Sequence, residues 1–81
     1  MNSTRDSIAA FIVGSVGSDV GDDDDIFELG LVSSLFAVQL VDFIEREFRI
    51  VVDNEDLELE NFRSVSALSE FVGSKLALLG R

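Results

Sequence analysis

The sequence predicts an all-α domain of three longer helices and one short one, joined through a long first loop. Three observations carry that expectation. Proline is absent from the whole chain. Apolar residues recur every three or four positions through most of its length, the spacing of a helix face. No strand-length stretch alternates cleanly outside residues 50–52. The 81 residues make one domain, 1–81, without an internal repeat or a break in composition.

The elements follow in order. Asn2, Ser3 and Thr4 offer N-caps for a first helix whose inner stripe is Ile8, Phe11, Ile12 and Ser15. Gly14, Gly17 and Gly21 are expected to terminate it. Residues 17–33 form a connection longer than compact domains ordinarily use, which marks it as functional or as packed by its own side chains. Ile26, Phe27, Leu29 and Leu31 are expected to lie down on the core, and the aspartate run 22–25 to stay in solvent. A second helix begins at the Ser33–Ser34 pair, where a hydroxyl can accept from a first-turn amide, and runs to about Phe48. At 100° per residue, Ala37, Leu40, Val41, Ile44 and Phe48 make its apolar face. Gln39, Asp42 and Arg46 lie opposite, together with Leu35 and Val38, which are on the wrong side for core construction.

The linker 49–58 holds residues 50–52 at least partly buried. Leu59–Phe62 make one helical turn. Ser64 caps a last helix with Val65, Leu68, Phe71, Val72, Leu76 and Leu79 on its inner face, and Gly80 ends it.

A hydrophobic fraction of 47% is ample for a core, so a net charge of −10 does not imply disorder. A chain this small buries only ~60% of its unfolded surface, and without cysteine no disulfide supplements the core. The negative charge argues against nucleic-acid partners, whose phosphates require Lys and Arg. It favours partners with basic docking surfaces, although solubility alone accounts for it equally well. No apolar run reaches the ~18–20 residues of a membrane span. Residues 1–7 lead into no signal-like apolar core, so the expectation is a soluble cytoplasmic monomer with no membrane partner.

Most catalytic chemistry is excluded by absence of residues. Without histidine or cysteine there is no triad and no zinc cluster. The glycines precede no phosphate-cradling lysine. The acidic stretches 19–28 and 53–60 do not follow the ligand order of a calcium loop, so no metal site is expected. What remains is Leu29-Gly30-Leu31-Val32-Ser33-Ser34-Leu35. Both serines read as simple helix caps. They read less readily as an attachment point, although a phosphodiester on Ser34 would sit at the positive end of a helix with Leu35 and Val38 beside it.

The longer register resembles the acyl carrier protein superfamily. The chain has Phe27-Glu28-Leu29-Gly30, then Ser33-Ser34-Leu35, then Leu40, Ile44, Glu45 and Phe48 at the family spacing, and Glu60-Asn61-Phe62-Arg63-Ser64-Val65 further on. The resemblance implies a four-helix acyl-carrier-protein bundle that is not an enzyme. It implies that a phosphopantetheinyl transferase moves 4′-phosphopantetheine from coenzyme A to Ser34, whose arm then holds an acyl group as a thioester. The family's usual Asp before the modified serine is Ser33 here, which removes a negative charge beside the phosphate and leaves Ser33 as the other candidate. Adjacency to Leu35 and the register of Leu40, Ile44 and Phe48 select Ser34. Ser33, Leu35, Val38, Gln39, Asp42 and Arg46 are expected to meet partners.

The string from Gly30 to Val41 is similar to freestanding carriers of methoxymalonyl, hydroxymalonyl or aminomalonyl extender units. That likeness implies a glycerate-derived cargo in polyketide or antibiotic biosynthesis. It implies an acyl-loading enzyme, tailoring dehydrogenases and a receiving polyketide synthase or acyltransferase. Fatty-acyl and aminoacyl (D-alanyl) carriers have similar strings. An acidic helical adaptor without a prosthetic group is the alternative from another class. A short polar cargo gains little from an apolar interior, so the arm is expected to lie outside the bundle.

Overall fold

A computed structural model describes residues 4–17, 19–30 and 33–79, with the side chains of Ser34 and Leu79 outside that description. Its helices are α1 (Thr4–Val16), α2 (Ser34–Phe48), α3 (Leu59–Phe62) and α4 (Val65–Leu79), with a 3-10 turn at Asn54–Asp56 that the sequence pattern did not announce. No strand occurs among the described residues. The core is built from Ile8 and Ile12 of α1, Ile26 of the first loop, Phe36, Leu40 and Ile44 of α2, and Val65, Leu68 and Val72 of α4.

In α1 the expected stripe is corrected at one end. Ile8 and Ile12 are buried and Phe11 half-buried, but Ser15 is exposed. The helix passes through Gly14 and ends at Gly17, whose φ of 74° is left-handed backbone open to glycine at little cost. Thr4 stands within the helix, and the cap candidates Asn2 and Ser3 lie outside the described residues.

The first loop folds onto the core, though not through all the residues expected. Ile26 is fully buried, and its amide donates to the carbonyl of Arg63 at 2.8 Å. Leu29 instead is 56% exposed, and Leu31 lies outside the described residues. In the aspartate run Asp23 and Asp24 are exposed, as expected, while Asp22 and Asp25 are half-buried and structural. Asp22 receives the Arg5 guanidinium, with Nε donating at 3.0 and 2.9 Å to its two oxygens. Its carbonyl accepts from the Ser66 amide at 2.9 Å. The Asp25 carboxylate accepts from the amides of Phe27 and Glu28, both at 3.0 Å. The hydrogen bond from Arg5 holds the Asp22 carboxyl below the usual carboxylate range.

The buried stripe of α2 is Phe36, Leu40 and Ile44, while Ala37, Val41 and Phe48 are only half-buried. At 100° per residue this is a rotation of roughly 50° from the expected face. Its cause is α1: Phe11 stacks on Phe43 with ring centroids 4.2 Å apart and on Phe36 at 5.9 Å. Helix α2 ends at Arg49, a non-glycine residue at φ 56°.

Beyond Arg49 the chain is extended, with Ile50 buried, Val51 69% exposed and Val52 half-buried. The Val52 amide donates to Glu45 at 2.9 Å, which ties this linker to α2. Lys75 of α4 holds the 3-10 turn from the other side, with Nζ 2.5 Å from Asp56 and 3.2 Å from Asp53. The bond from Lys75 lowers the Asp56 carboxyl, and the same bond raises the Lys75 ammonium. Ser64 caps α4 as expected, its Oγ accepting from the Ala67 amide at 3.1 Å. Val65, Leu68, Phe71 and Val72 are buried and Leu76 half-buried; the predicted inner position of Leu79 and the stop at Gly80 fall outside the description.

Candidate functional site

The site begins with the anchored loop. Asp25 caps the turn 26–30, and Gly30 closes it at φ 72° with its amide donating to the Phe27 carbonyl at 3.1 Å. With Ile26 buried at the base of this turn, the chain is delivered to the mouth of α2 from a fixed point.

Ser33 is the N-cap. Its backbone is extended (φ −105°, ψ 173°), its Oγ accepts from the Phe36 amide at 3.2 Å, and its carbonyl accepts from the Ala37 amide at 3.0 Å. Ser34 is therefore the first helical residue. The amides of Ser34 and Leu35 precede any intrahelical acceptor, as the first amides of a helix do. The first turn contains no acidic residue, so nothing on it offsets the positive end of the helix dipole. A phosphate attached here fits both features: two donors and an uncompensated partial positive charge. Within this arrangement Ser33 is occupied as the cap.

Around it the outward arc of α2 is as the sequence placed it. Leu35 is 67% and Val38 66% exposed, and Gln39, Asp42 and Arg46 are exposed with them. Asp42 and Arg46 form an i,i+4 pair at 3.1 Å, a surface interaction worth about 0.3–0.5 kcal/mol. This arc mixes apolar and charged groups. Glu45 lies at its edge, but its carboxylate is engaged with the Val52 amide.

Sequence reasoning missed a second feature. An apolar cavity of about 270 Å³ opens between α2 and α3, lined by Phe27, Ala37, Leu40, Val41, Leu57 and Phe62 among others. Leu57 and Leu59, at its rim, are 53% and 59% exposed. The signal was present as two leucines among acids in a linker. It was not legible because the 3-10 turn that turns Leu57 toward α2 depends on Lys75, some 20 positions away.

Among the described residues no group of three His, Cys, Asp or Glu side chains could hold a metal ion. No helix there is long and apolar enough to cross a membrane. Chemically, the arrangement offers a hydroxyl-bearing residue at a helix mouth, an anion-favouring terminus and an apolar surface beside it.

Compared with known families, residues 6–72 match the one described as phosphopantetheine attachment site, and the chain belongs to that family. Its members carry a 4′-phosphopantetheine prosthetic group and work with phosphopantetheinyl transferases and acyl-handling enzymes. No curated protein matches the chain.

Proposed function

We propose that this protein is a non-catalytic acyl carrier whose prosthetic group is esterified to Ser34. One observation carries the choice of residue. Ser33 uses its hydroxyl oxygen and carbonyl to cap α2, and Ser34 follows it as the first helical residue, where the amides have no intrahelical acceptor. The Ser34 oxygen would attack the pantetheine-bearing phosphorus of coenzyme A's pyrophosphate, forming the phosphodiester as the P–O bond to adenosine 3′,5′-bisphosphate breaks and that group leaves, with the serine proton passing to the transferase. The Ser34 and Leu35 amides would then steady the phosphate, and Leu35 and Val38 would offer apolar contacts to whichever enzyme acts on the thioester. The acyl group becomes reactive only in those partners.

The cargo we propose is a small glycerate-derived acyl unit, loaded by a dedicated enzyme, oxidised by tailoring dehydrogenases and passed to a polyketide synthase or acyltransferase. Support for it is the sequence string from Gly30 to Val41 and the mixed, weakly acidic outer arc of α2. The apolar cavity between α2 and α3 favours a second reading, a fatty-acyl cargo, because a hydrocarbon chain fits there without leaving a hydroxyl unpaired.

Incubation with coenzyme A and a broad-specificity transferase tests the carrier role. The intact mass should rise by one phosphopantetheine in the wild type and not in Ser34→Ala. A wild-type chain that never gains it refutes the role, and a modified Ser34→Ala beside an unmodified Ser33→Ala moves the site to Ser33. The mass of the protein isolated from its own cells decides the cargo: a hydrocarbon chain on the arm refutes the glycerate-derived unit.

A further inference from the structure

The 3-10 turn that brings Leu57 to the cavity between α2 and α3 is held in two different ways. Its shape is local. The Asp56 amide donates to the Asp53 carbonyl at 2.9 Å, the Asp53 amide to the Asp56 carboxylate at 2.9 Å, and Asn61 Nδ2 to the Asp56 carbonyl at 2.8 Å. None of these bonds leaves residues 53–61, so they do not fix where the turn sits in the bundle. Its place is set from outside. On one side the Val52 amide donates to Glu45 of α2. On the other, Lys75 of α4 reaches across to both Asp53 and Asp56. The side chains of Lys75 and Asp56 are each only 19% exposed, so solvent screens this pair less than the surface pair of Asp42 and Arg46.

The same lysine bears on the cavity from beneath. Its ammonium lies 5.8 Å from the centre of the Phe71 ring, and Phe71 packs on Phe62, a cavity wall, with centroids 5.6 Å apart. Lys75 thus supports the floor through two rings and the lip through Asp56, the chain neighbour of Leu57.

Resting on the fatty-acyl reading above, we propose that Lys75 is a specificity-determining residue for the cargo. Its clasp on Asp53 and Asp56 holds Leu57 as the lip of the cavity, so a hydrocarbon chain tethered at Ser34 is retained while the clasp is closed and released when it opens. Reach permits this. Val41 of the cavity wall lies ~10 Å along α2 from Ser34 and within ~20° of it about the axis. Phe43, in the groove on the α1 side, is ~180° away. The phosphopantetheine arm has about 13 bonds from phosphorus to sulfur, roughly 15 Å at the extension of a peptide backbone, so its end reaches the cavity mouth. Without the ammonium, Asp53 and Asp56 repel one another, with exposed Glu55 and Glu58 close by in the chain, and the turn stands away from α4. A short polar acyl group gains nothing from the cavity in either state, so the clasp discriminates only among apolar cargoes.

The test loads the full chain from acetyl- or decanoyl-coenzyme A with a broad-specificity transferase and follows the melting of each form by circular dichroism. In the wild type the decanoyl form should melt about 4–8 °C above the acetyl form. Lys75→Met keeps the apolar stem beside Phe71 but removes the charge, and should reduce that increment at least twofold. Lys75→Arg should restore most of it. Arg5→Met breaks the pair with Asp22, away from the cavity, and should lower both melts alike with the increment intact. Should Lys75→Met fail to fold, Asp56→Asn opens the same clasp from the turn side and should reduce the increment likewise. An undiminished increment in Lys75→Met or its substitute, or an equal loss in Arg5→Met, overturns the clasp. Equal melts of the two wild-type forms overturn it together with the fatty-acyl reading and leave the carrier role standing. A wild type that is never loaded overturns the carrier role and this inference with it.

Discussion

Replacing Ser33 by alanine separates the two serines at the mouth of α2. The perturbation removes one hydrogen bond, from the Phe36 amide to Ser33 Oγ at 3.2 Å, and leaves that amide in the first turn without its acceptor. Losing a serine N-cap costs about 1 kcal/mol. For a domain of this size that corresponds to a fall in Tm of roughly 4–8 °C. Ser33→Asp retains an acceptor and adds a negative charge at the positive end of the helix, worth about 0.3–1 kcal/mol, so its Tm should match or exceed the wild type. Ser34→Ala occupies a helical position that alanine tolerates well, and its Tm should move by no more than a degree or two. Thermal melts of the three apo variants followed by far-ultraviolet circular dichroism give the ordering directly. A Ser33→Ala melt that overlays the wild type, or a Ser34→Ala melt that falls further than Ser33→Ala, refutes the division between a capping and a bearing serine.

Other outcomes follow from the same structure. Ile26→Ala empties a fully buried site at the base of the first loop and should cost about 2–5 kcal/mol, read as a large drop in the urea midpoint. A loss under 1 kcal/mol means that the loop is not anchored there. Arg49→Gly relieves left-handed backbone at the end of α2 and should raise stability by about 0.5–1 kcal/mol, after the greater unfolded-state freedom of glycine is subtracted. Asp22 and Asp56 both have carboxyls lowered in the folded state, by Arg5 and Lys75 respectively, so their contribution is present above the ordinary carboxylate range and is lost as pH falls through their folded values. Urea midpoints measured between neutral pH and about pH 3 should decline in the wild type and less steeply in a combined Asp22→Asn, Asp56→Asn variant; equal slopes would show that the pairs do not contribute. The double substitution Leu35→Ala, Val38→Ala removes only exposed groups, so it should leave Tm within the effect of about 0.5 kcal/mol while lowering kcat/KM with an acyl-loading enzyme.

Much of the architecture was legible in one dimension because helices are local objects. The 3.6-residue period, the Ser33 and Ser64 caps and the absence of proline placed α2, α3 and α4 close to their observed limits. The outward position of Leu35, Val38, Gln39, Asp42 and Arg46 followed from the same period. So did the appearance of Ser33 and Ser34 together at a helix mouth, which carried the site.

What the sequence could not decide was which neighbour each face would meet. The stacking of Phe11 on Phe43 and Phe36 turns the buried stripe of α2 away from Ala37 and Val41, and no pattern within α2 records the presence of α1. The aspartates of the first loop looked like a solvated run until Arg5 and the amides of Phe27 and Glu28 came within hydrogen-bond reach. Leu29 and Leu57 remain outside while Ile26 goes in, because a loop has no period to sort its apolar residues and only contact with α3 and α4 does so. By itself the sequence determined the helices and the serine pair, since both rest on interactions within a few residues. The grooves on either side of α2 were decided only by the tertiary structure, which brings together groups far apart along the chain.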